Sequence, residues 1–525
     1  MDTKKSRPAD STSNTHTVAR NSFWYGLEQM FGLGAAFFTA IFVGRVMGPE
    51  RMGYFQEVVY ATSVSMALGN FGLPLTTRKF MAEQLNSGQR GLARATYLTT
   101  LKLQTYIALA VCAVALLLGF WRGDPHQRGL TVLLIAAMLP RMIALIPSQA
   151  NCAAEEMRRN TLPSVIGGTV SMGLTLVGLR LGWDLLGFAA ALLLGVTLEF
   201  IWKLRIVESW LGDVAPGTVP PELKKRMFAY SGQGLALMVL NLVVWDRSDL
   251  FVLAYMNPDQ RQWSFFSYSF NVVERIFVIP LSFSGSLSAT MMAQYGRGQA
   301  RVKSMTVDGA RYTLLVTLPL LLGVACISRP LVLLLWGAPD PKHDFRPMIV
   351  TLTIVALMAI PKALVGAPTM LLQATERQGF LIAWGCLCGV VDIGLDFLLT
   401  GRYGANGAAI ANGTAQAMAA LGIWIYVWKS DGIGIGPRQI GRILLSGAIM
   451  AAGVFLFLRA VPGYFGMFMA IALGAVLWVL ALRVTRALQV EDAGRFISLG
   501  ARLPSVWQPR WKRLIHWLAP LASDA

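Results

Sequence analysis

Apolar stretches about as long as a bilayer is thick recur along almost the whole chain. A helix needs roughly 20 predominantly apolar residues to cross the hydrocarbon core of a membrane. Of the 525 residues, 55% are hydrophobic and only 14% are charged, so no room remains for a sizeable soluble domain. The sequence therefore predicts an all-α integral membrane protein.

The lengths and spacing of the apolar stretches predict about fourteen transmembrane helices. An even number of spans places both termini on the same side of the membrane. The predicted spans are residues 22–44, 54–75, 98–121, 129–149, 163–181, 184–204, 228–256, 264–291, 310–335, 347–371, 380–400, 405–428, 439–459 and 462–482.

Lysine and arginine residues are concentrated in alternate loops between these spans. In a soluble protein a formal net charge of +18 would suggest a nucleic-acid partner, but here the positive residues do not form one continuous face. Cytoplasmic loops of membrane proteins are enriched in lysine and arginine. We therefore expect both termini to be cytoplasmic and expect no nucleic-acid partner.

Three pairs of short segments match in order between the two halves of the chain, which suggests an internal duplication. A repeat in the same orientation predicts two six-helix lobes related by a parallel pseudo-twofold axis, followed by two C-terminal helices. The matching pairs are 42–50 with 251–259, 81–94 with 291–303, and 187–191 with 407–411. The predicted regions are a polar tail at 1–21, an N-lobe at 22–204, a linker at 205–227, a C-lobe at 228–428, two helices at 429–482 and a tail at 483–525.

The C-terminal tail alternates basic residues with apolar and aromatic ones. Such a basic amphipathic segment is typical of a helix that lies in the membrane interface, and it is also suited to docking a partner protein. Both interpretations remain open from the sequence.

Cysteine and histidine residues show none of the spacings that are typical of metal or redox sites. The loops predicted to lie outside are short, whereas a membrane enzyme that transfers sugars would carry its catalytic groups in a large outer loop. We therefore expect no metal site, no cofactor and no catalytic residues.

Four segments, taken in their order along the chain, carry a resemblance to a known family. They are VGRVMGPERMGYF, NFGLPLTTRKFMAEQ, WDRSDLFVLAYM and LTGRYGANGAAIANG. The chain resembles Wzx-type flippases, the polysaccharide-transporter branch of the multidrug/oligosaccharidyl-lipid/polysaccharide (MOP) exporter superfamily.

The resemblance implies a transporter of the bacterial plasma (inner) membrane. It would translocate an undecaprenyl-pyrophosphate-linked oligosaccharide for O-antigen, capsule or exopolysaccharide synthesis. The implied partners are this lipid-linked oligosaccharide and membrane lipids, with a polysaccharide polymerase and a chain-length regulator as further candidates.

Other functions remain open. Within transport, the alternatives are an ion-coupled drug exporter of the same superfamily and a peptidoglycan-precursor flippase. From other classes, they are a membrane-embedded glycan polymerase or ligase and a scaffold for a glycan-assembly complex.

Ionisable residues inside predicted spans are candidate site residues, because such residues are costly in hydrocarbon and usually face a wet cavity or a partner. A lipid pyrophosphate is anionic, so basic residues are the candidates for binding it. The substrate-binding candidates are the basic residues Arg275, Arg141, Arg247 and Lys362, together with the acid Glu274 beside Arg275. The alternative is that these charges only pair with each other inside the bundle, as Arg247 could with Asp246 or Asp249.

A second set of candidates consists of carboxylates that could couple transport to an ion gradient. Asp392 and Asp396 are four residues apart, so on a helix they share one face and could share a proton or hold Na⁺. Glu28 in the first span is a comparable candidate. Helix-to-helix hydrogen bonding is the alternative role for all three.

Aromatic residues near the predicted outer ends could stack on sugar faces, but membrane interfaces are aromatic in any case. We therefore interpret Trp263, Phe265, Phe266 and Tyr268 as part of an interface belt.

Overall fold

The structure is a computed structural model, and the residues that it describes are helical apart from short turns and connections. No strand occurs among those residues, so the prediction of an all-α chain is confirmed. The described residues are 11–122, 128–244, 249–295, 299–337, 343–375, 377–488, 492, 497 and 508–518.

Two compact units divide the chain, Met1–Asp246 and Arg247–Ala525, called here the N-terminal and C-terminal units. The helices of the N-terminal unit are α1 (Ser11–Gly69), α2 (Leu73–Asn86), α3 (Arg90–Arg122), α4 (Arg128–Ala153), α5 (Arg158–Arg180), α6 (Leu185–Leu211) and α7 (Pro221–Val244). Those of the C-terminal unit are α8 (Asp249–Met256), α9 (Gln260–Tyr295), α10 (Gln299–Trp336), α11 (Met348–Met358), α12 (Gly366–Ala374), α13 (Gln378–Tyr403), α14 (Ala405–Asp431), α15 (Pro437–Ala460), α16 (Tyr464–Val484) and α17 (Gln508–Leu518).

Within the described part of the chain, eleven helical segments are long and apolar enough to cross a membrane. One of them lies in α1, whose 59 residues exceed the length needed for a single span. Gly48 interrupts α1 with φ 75° and ψ 171°, so α1 is two helices joined by a kink. The chain is thus a multi-pass membrane protein, while the count of about fourteen spans and the symmetry of the lobes stay predictions.

The second predicted span, 54–75, is interrupted by a turn between α1 and α2. Phe71 and Gly72 both have positive φ, at 49° and 69°. A Cβ atom on Gly72 would lie 2.3 Å from the carbonyl oxygen of Ser231 on α7. Only glycine permits both this conformation and this close approach, so α2 begins as a separate helix packed against α7.

A second interruption divides the predicted span 347–371. Helix α11 ends at Met358, a 3₁₀ turn occupies Ile360–Leu364, and α12 starts at Gly366. Pro361 lies within this turn and cannot donate the backbone hydrogen bond that a continuous helix would require. Broken helices at membrane depth are tolerated where the freed polar groups find other partners.

Four aromatic residues near the start of α9 are buried inside the C-terminal unit. Trp263, Phe265, Phe266 and Tyr268 are between 0% and 3% exposed. Tyr268 packs against Trp336 of α10, with ring centroids 5.3 Å apart. The interpretation of these residues as an interface belt was therefore wrong, because α9 packs against α10, α11, α12 and α14 and these four side chains are buried.

Candidate functional site

Three buried aspartates meet in the C-terminal unit. Asp249 is the first residue of α8, while Asp392 and Asp396 lie one turn apart on α13. Each of the three offers one carboxylate oxygen, and these oxygens all lie within 4.8 Å of one another. The residues are 0%, 3% and 0% exposed, respectively. We call this group the aspartate cluster.

Polar residues of α13 and α14 hold the aspartate cluster in place. Asn412 donates a hydrogen bond from Nδ2 to Asp249 Oδ2 at 3.0 Å. Gln416 in turn donates to Asn412 Oδ1 at 2.7 Å, which fixes the orientation of the Asn412 amide. Thr400 donates to Asp396 Oδ1 at 3.3 Å.

The electrostatics of the aspartate cluster require positive charge. In the described part of the structure, the buried atoms Asp249 Oδ1 and Asp396 Oδ2 have no hydrogen-bond donor. Three carboxylates this close cannot all stay ionised in a low-dielectric interior without a cation. Carboxylate and amide oxygens are the ligands that hard cations prefer, and a shared proton meets the same need. The arrangement is therefore suited to binding a cation or protons.

Two of the predicted substrate-binding residues form an ion pair with each other. Lys362, in the 3₁₀ turn after α11, donates to Glu274 Oε1 on α9. Its Nζ also lies 5.2 Å from the ring centroid of Phe277 and 5.8 Å from that of Phe270. Both charged side chains are about 30% exposed. The pair is electrically neutral, so Lys362 does not act as an isolated cation.

The other predicted basic residues have different surroundings. Arg275 follows Glu274 on α9 and is half-buried. Arg141 lies on α4 of the N-terminal unit, directly after Pro140, and is exposed. Arg247 lies outside the described residues. The structure thus brings Lys362 and Glu274 together, and places Arg141 in the other unit.

Glu28 belongs to a polar group in the N-terminal unit, well away in sequence from the aspartate cluster. Ser164 Oγ on α5 lies 2.7 Å from Glu28 Oε1 and 2.9 Å from Glu199 Oε1 on α6. Lys203, one turn further along α6, donates to Glu199 Oε1 at 2.6 Å. We call these four residues the glutamate group.

Sequence reasoning missed several members of both groups. From the sequence, Asp249 is one of several acids inside the predicted spans and a possible partner for Arg247, but no sequence signal connects it to α13. Glu199 and Lys203 are four residues apart on one helix, a spacing that predicts an ion pair. That signal could have been used, but nothing in the sequence indicates that Ser164 lies beside them.

Comparison with known proteins places the chain in a family. A family described as polysaccharide biosynthesis protein matches residues 18–287, just over half of the chain. The probable low-salt glycan biosynthesis flippase Agl15 of Haloferax volcanii is 20% identical over 449 residues, which cover 84% of this chain and 90% of that protein.

Solved structures with similar folds include a flippase and a multidrug transporter. The lipid II flippase MurJ in an inward closed conformation superposes with a TM-score of 0.69 at 14% identity, covering 89% of this chain and 98% of MurJ. An inward-facing multidrug resistance MATE family transporter of the MOP superfamily gives a TM-score of 0.63 at 14% identity, covering 76% and 93%. These likenesses confirm the expected superfamily fold. The chain belongs to the polysaccharide biosynthesis protein family and has the fold of the MOP superfamily transporters.

Proposed function

We propose that the protein is a flippase that moves a lipid-linked oligosaccharide across the plasma membrane by alternating access. The observation that carries the proposal is the match of the polysaccharide biosynthesis family to residues 18–287 in a chain with a transporter fold. The similarity to proteins named as a glycan biosynthesis flippase and a lipid II flippase supports the same class of cargo.

The cargo in this proposal is an undecaprenyl-pyrophosphate-linked repeat unit for O-antigen, capsule or exopolysaccharide. Its pyrophosphate must lose water on entering the protein, and arginine offsets that cost with paired, charge-assisted hydrogen bonds. Arg141 is exposed on α4 and Arg275 is half-buried on α9. Each of these arginines, taken within its own unit, is a separate candidate for contacting the pyrophosphate, and we assign Lys362 to its ion pair with Glu274.

Energy for the movement comes, in this proposal, from a cation that occupies the aspartate cluster. The supporting observation is that three buried carboxylates lie close together. Two of their oxygen atoms, Asp249 Oδ1 and Asp396 Oδ2, accept no hydrogen bond within the described part of the structure. A cation gradient can drive transport only if the cation binds one conformation more tightly than the other. Since α8, α13 and α14 all contribute, a shift of any of these helices would change the affinity of the cluster.

The test is a gene deletion followed by an assay of lipid-linked oligosaccharide on each leaflet. Complementation with wild type should restore outer-leaflet exposure, whereas Arg141→Ala and Arg275→Ala should lower it about 10-fold or more, the loss expected for a charged hydrogen bond to phosphate. Arg438→Ala, at an exposed position in the first turn of α15, is the matched control and should behave as wild type.

An unchanged leaflet distribution in the deletion strain would overturn the glycan cargo. The similarity to a MATE family transporter makes a cation-coupled small-molecule exporter the second candidate. In that case the deletion would instead raise the susceptibility of the cells to cationic drugs. Substitution of the three aspartates of the cluster by asparagine would raise it as well.

A further inference from the structure

The C-terminal helix α17 is joined to the end of a membrane-length helix. Arg483, in the last turn of α16, donates a hydrogen bond from its guanidinium to the carbonyl oxygen of Trp517 on α17. The same guanidinium stacks over the ring of Trp517, 4.2 Å from the ring centroid. Helix α16 is long and apolar enough to cross a membrane, and it ends at Val484. Its end marks the level of the lipid headgroups, so α17 is held at that level.

The start of α15 lies at the same level. Arg442 Nη1 donates to the carbonyl oxygen of Arg486, just after α16, at 3.3 Å. The hydroxyls of Ser446 and Thr485 form a hydrogen bond at 2.6 Å. These contacts bring exposed basic residues from the ends of α15 and α16 and from α17 to one level. We call them the basic surface, which consists of Arg442, Arg483, Arg486, Lys512 and Arg513.

Helix α17 has one apolar side and one charged side. Trp511 and Ile515 are four residues apart and share a face of the helix, and Ile515 is 5% exposed. Lys512 and Arg513 are exposed. A short basic helix of this kind lies in the plane of the membrane interface, where tryptophan is also enriched. The sequence left open whether the tail meets a membrane or a partner protein, and the position of α17 at the end of a span favours the membrane.

The basic surface has no carboxylate partner within the described part of the chain. The sequence contains no Asp or Glu from 432 to 490, and none from 493 to 523. Asp492 is already paired with Arg311. None of the five basic residues forms an ion pair with a described residue. Like charges at one level repel one another, so an anion from outside the chain would stabilise this arrangement.

Arg486 occupies a backbone position that favours glycine. Its φ is 52°, in the left-handed region that other residues rarely adopt. The turn is closed by hydrogen bonds from the N–H of Arg486 to the carbonyl oxygen of Arg483 and from the N–H of Ala487 to that of Leu482, both at 3.1 Å. Glycine would leave the backbone of this turn less strained, so what arginine adds here is an exposed positive side chain.

Lipid-facing side chains lie directly beside the basic surface. Leu480 and Val484, in the last two turns of α16, are 43% and 76% exposed. Exposed apolar side chains on a membrane span contact the acyl chains of lipids. A lipid whose chains pack there carries its phosphate at the level of Arg483 and Arg486.

We propose that the basic surface binds the phosphate of an anionic phospholipid whose acyl chains pack against the end of α16. Clusters of Lys and Arg beside a membrane span attract anionic lipids, and arginine forms paired, charge-assisted hydrogen bonds with phosphate. The bound phosphate offsets part of the repulsion among the five basic residues and holds α17 against the membrane. Binding of this lipid does not depend on the proposed flippase function, because it needs neither a cargo nor a conformational change.

Native mass spectrometry of the full-length protein in detergent tests the proposal by counting bound lipids. The probes are phosphatidylglycerol, which is anionic, and phosphatidylcholine with the same acyl chains, which has no net charge. Wild type should bind phosphatidylglycerol at least about 10-fold more tightly than phosphatidylcholine. Lys512→Gln/Arg513→Gln should lose most of this preference, and its affinity for phosphatidylcholine should not change.

The matched control is Lys224→Gln/Lys225→Gln, which removes an adjacent pair of exposed basic residues near the start of α7. It has the same net charge as the test variant and should bind phosphatidylglycerol as wild type does. Arg486→Gly separates binding from folding. Because glycine suits the left-handed turn, this variant should unfold at the same or a higher temperature while its affinity for phosphatidylglycerol falls.

Equal affinity of wild type for the two lipids would overturn the proposal. Equal losses in the test variant and in the matched control would also overturn it, since total charge alone would then explain binding. An unchanged affinity for phosphatidylglycerol in Arg486→Gly would contradict the site in the same way. Poly-L-glutamate serves as the probe for an acidic partner protein. Wild type that binds poly-L-glutamate but shows no preference for phosphatidylglycerol would assign the basic surface to such a protein instead.

Discussion

Lys362 forms an ion pair with Glu274 across two helical elements, the 3₁₀ turn of residues 360–364 and α9. The cation also faces the rings of Phe270 and Phe277. An interrupted helix leaves backbone groups without helical partners, and this side-chain pair fixes the interruption against its neighbour.

Removing both partners of this pair should cost less than the sum of the costs of removing each one alone. Lys362→Gln or Glu274→Gln alone leaves a partly buried charge, and we expect each to lower the unfolding free energy by about 1–2 kcal/mol, reduced from a buried pair by partial exposure. The double variant should lose less than the sum of the two. Thermal unfolding in detergent measures this coupling. The control is Arg346→Gln, which breaks an exposed pair with Asp344 and should change stability by less than about 0.5 kcal/mol.

The aspartate cluster should make the stability of the protein depend on cations. A ligand present at 100 times its dissociation constant stabilises the folded state by about 2.7 kcal/mol. We expect Na⁺ in place of K⁺, or protons at lower pH, to raise the unfolding temperature of wild type more than that of Asp396→Asn. Equal responses of wild type and variant to both changes would contradict the role of the cluster.

The glycine contact between α5 and α6 can be tested with a matched pair of substitutions on one helix. Gly167→Ala places a Cβ atom 2.7 Å from the carbonyl oxygen of Gly195, so the helices must separate, at a cost of about 1–3 kcal/mol. Gly173→Ala on the same helix meets nothing within 4 Å and should be neutral or stabilising by up to about 1 kcal/mol. Thermal unfolding distinguishes the two, and equal losses would show that the contact is unimportant.

Asp492 should anchor the segment that follows α16. It accepts hydrogen bonds from the guanidinium of Arg311 and, at 2.6 Å, from the hydroxyl of Tyr312, and both Arg311 and Asp492 are at most 2% exposed. Asp492→Asn removes the close anionic partner of the buried Arg311, and breaking a buried ion pair in this way costs up to about 3–5 kcal/mol. Limited proteolysis should then cleave residues 483–525 faster than in wild type. Asp308→Asn affects the longer, 3.4 Å contact to Arg311 and should accelerate cleavage less, so equally fast cleavage in this variant would contradict the anchor.

Asp392 and Asp396 are the members of the candidate site that could be predicted from the sequence. Their spacing of four residues predicted a shared helix face, and both are buried on α13. Asp249 could not be assigned to them, because it lies on a different helix and its sequence neighbours favoured pairing with Arg247. The same holds for Ser164, an ordinary polar residue until α1 and α6 bring carboxylates to it.

The sequence alone determined that the chain folds in a membrane, that it is all-helical and which family it resembles. Apolar length and backbone hydrogen bonding are local properties, so a membrane helix is specified by its own residues. Tertiary structure decided the rest: the break at Ile360–Leu364, the burial of the α9 aromatic residues and the pairing of Lys362 with Glu274. Those features depend on which helices lie side by side. In a membrane, helix association is stabilised by close packing at small residues and by polar contacts between segments that are distant in sequence.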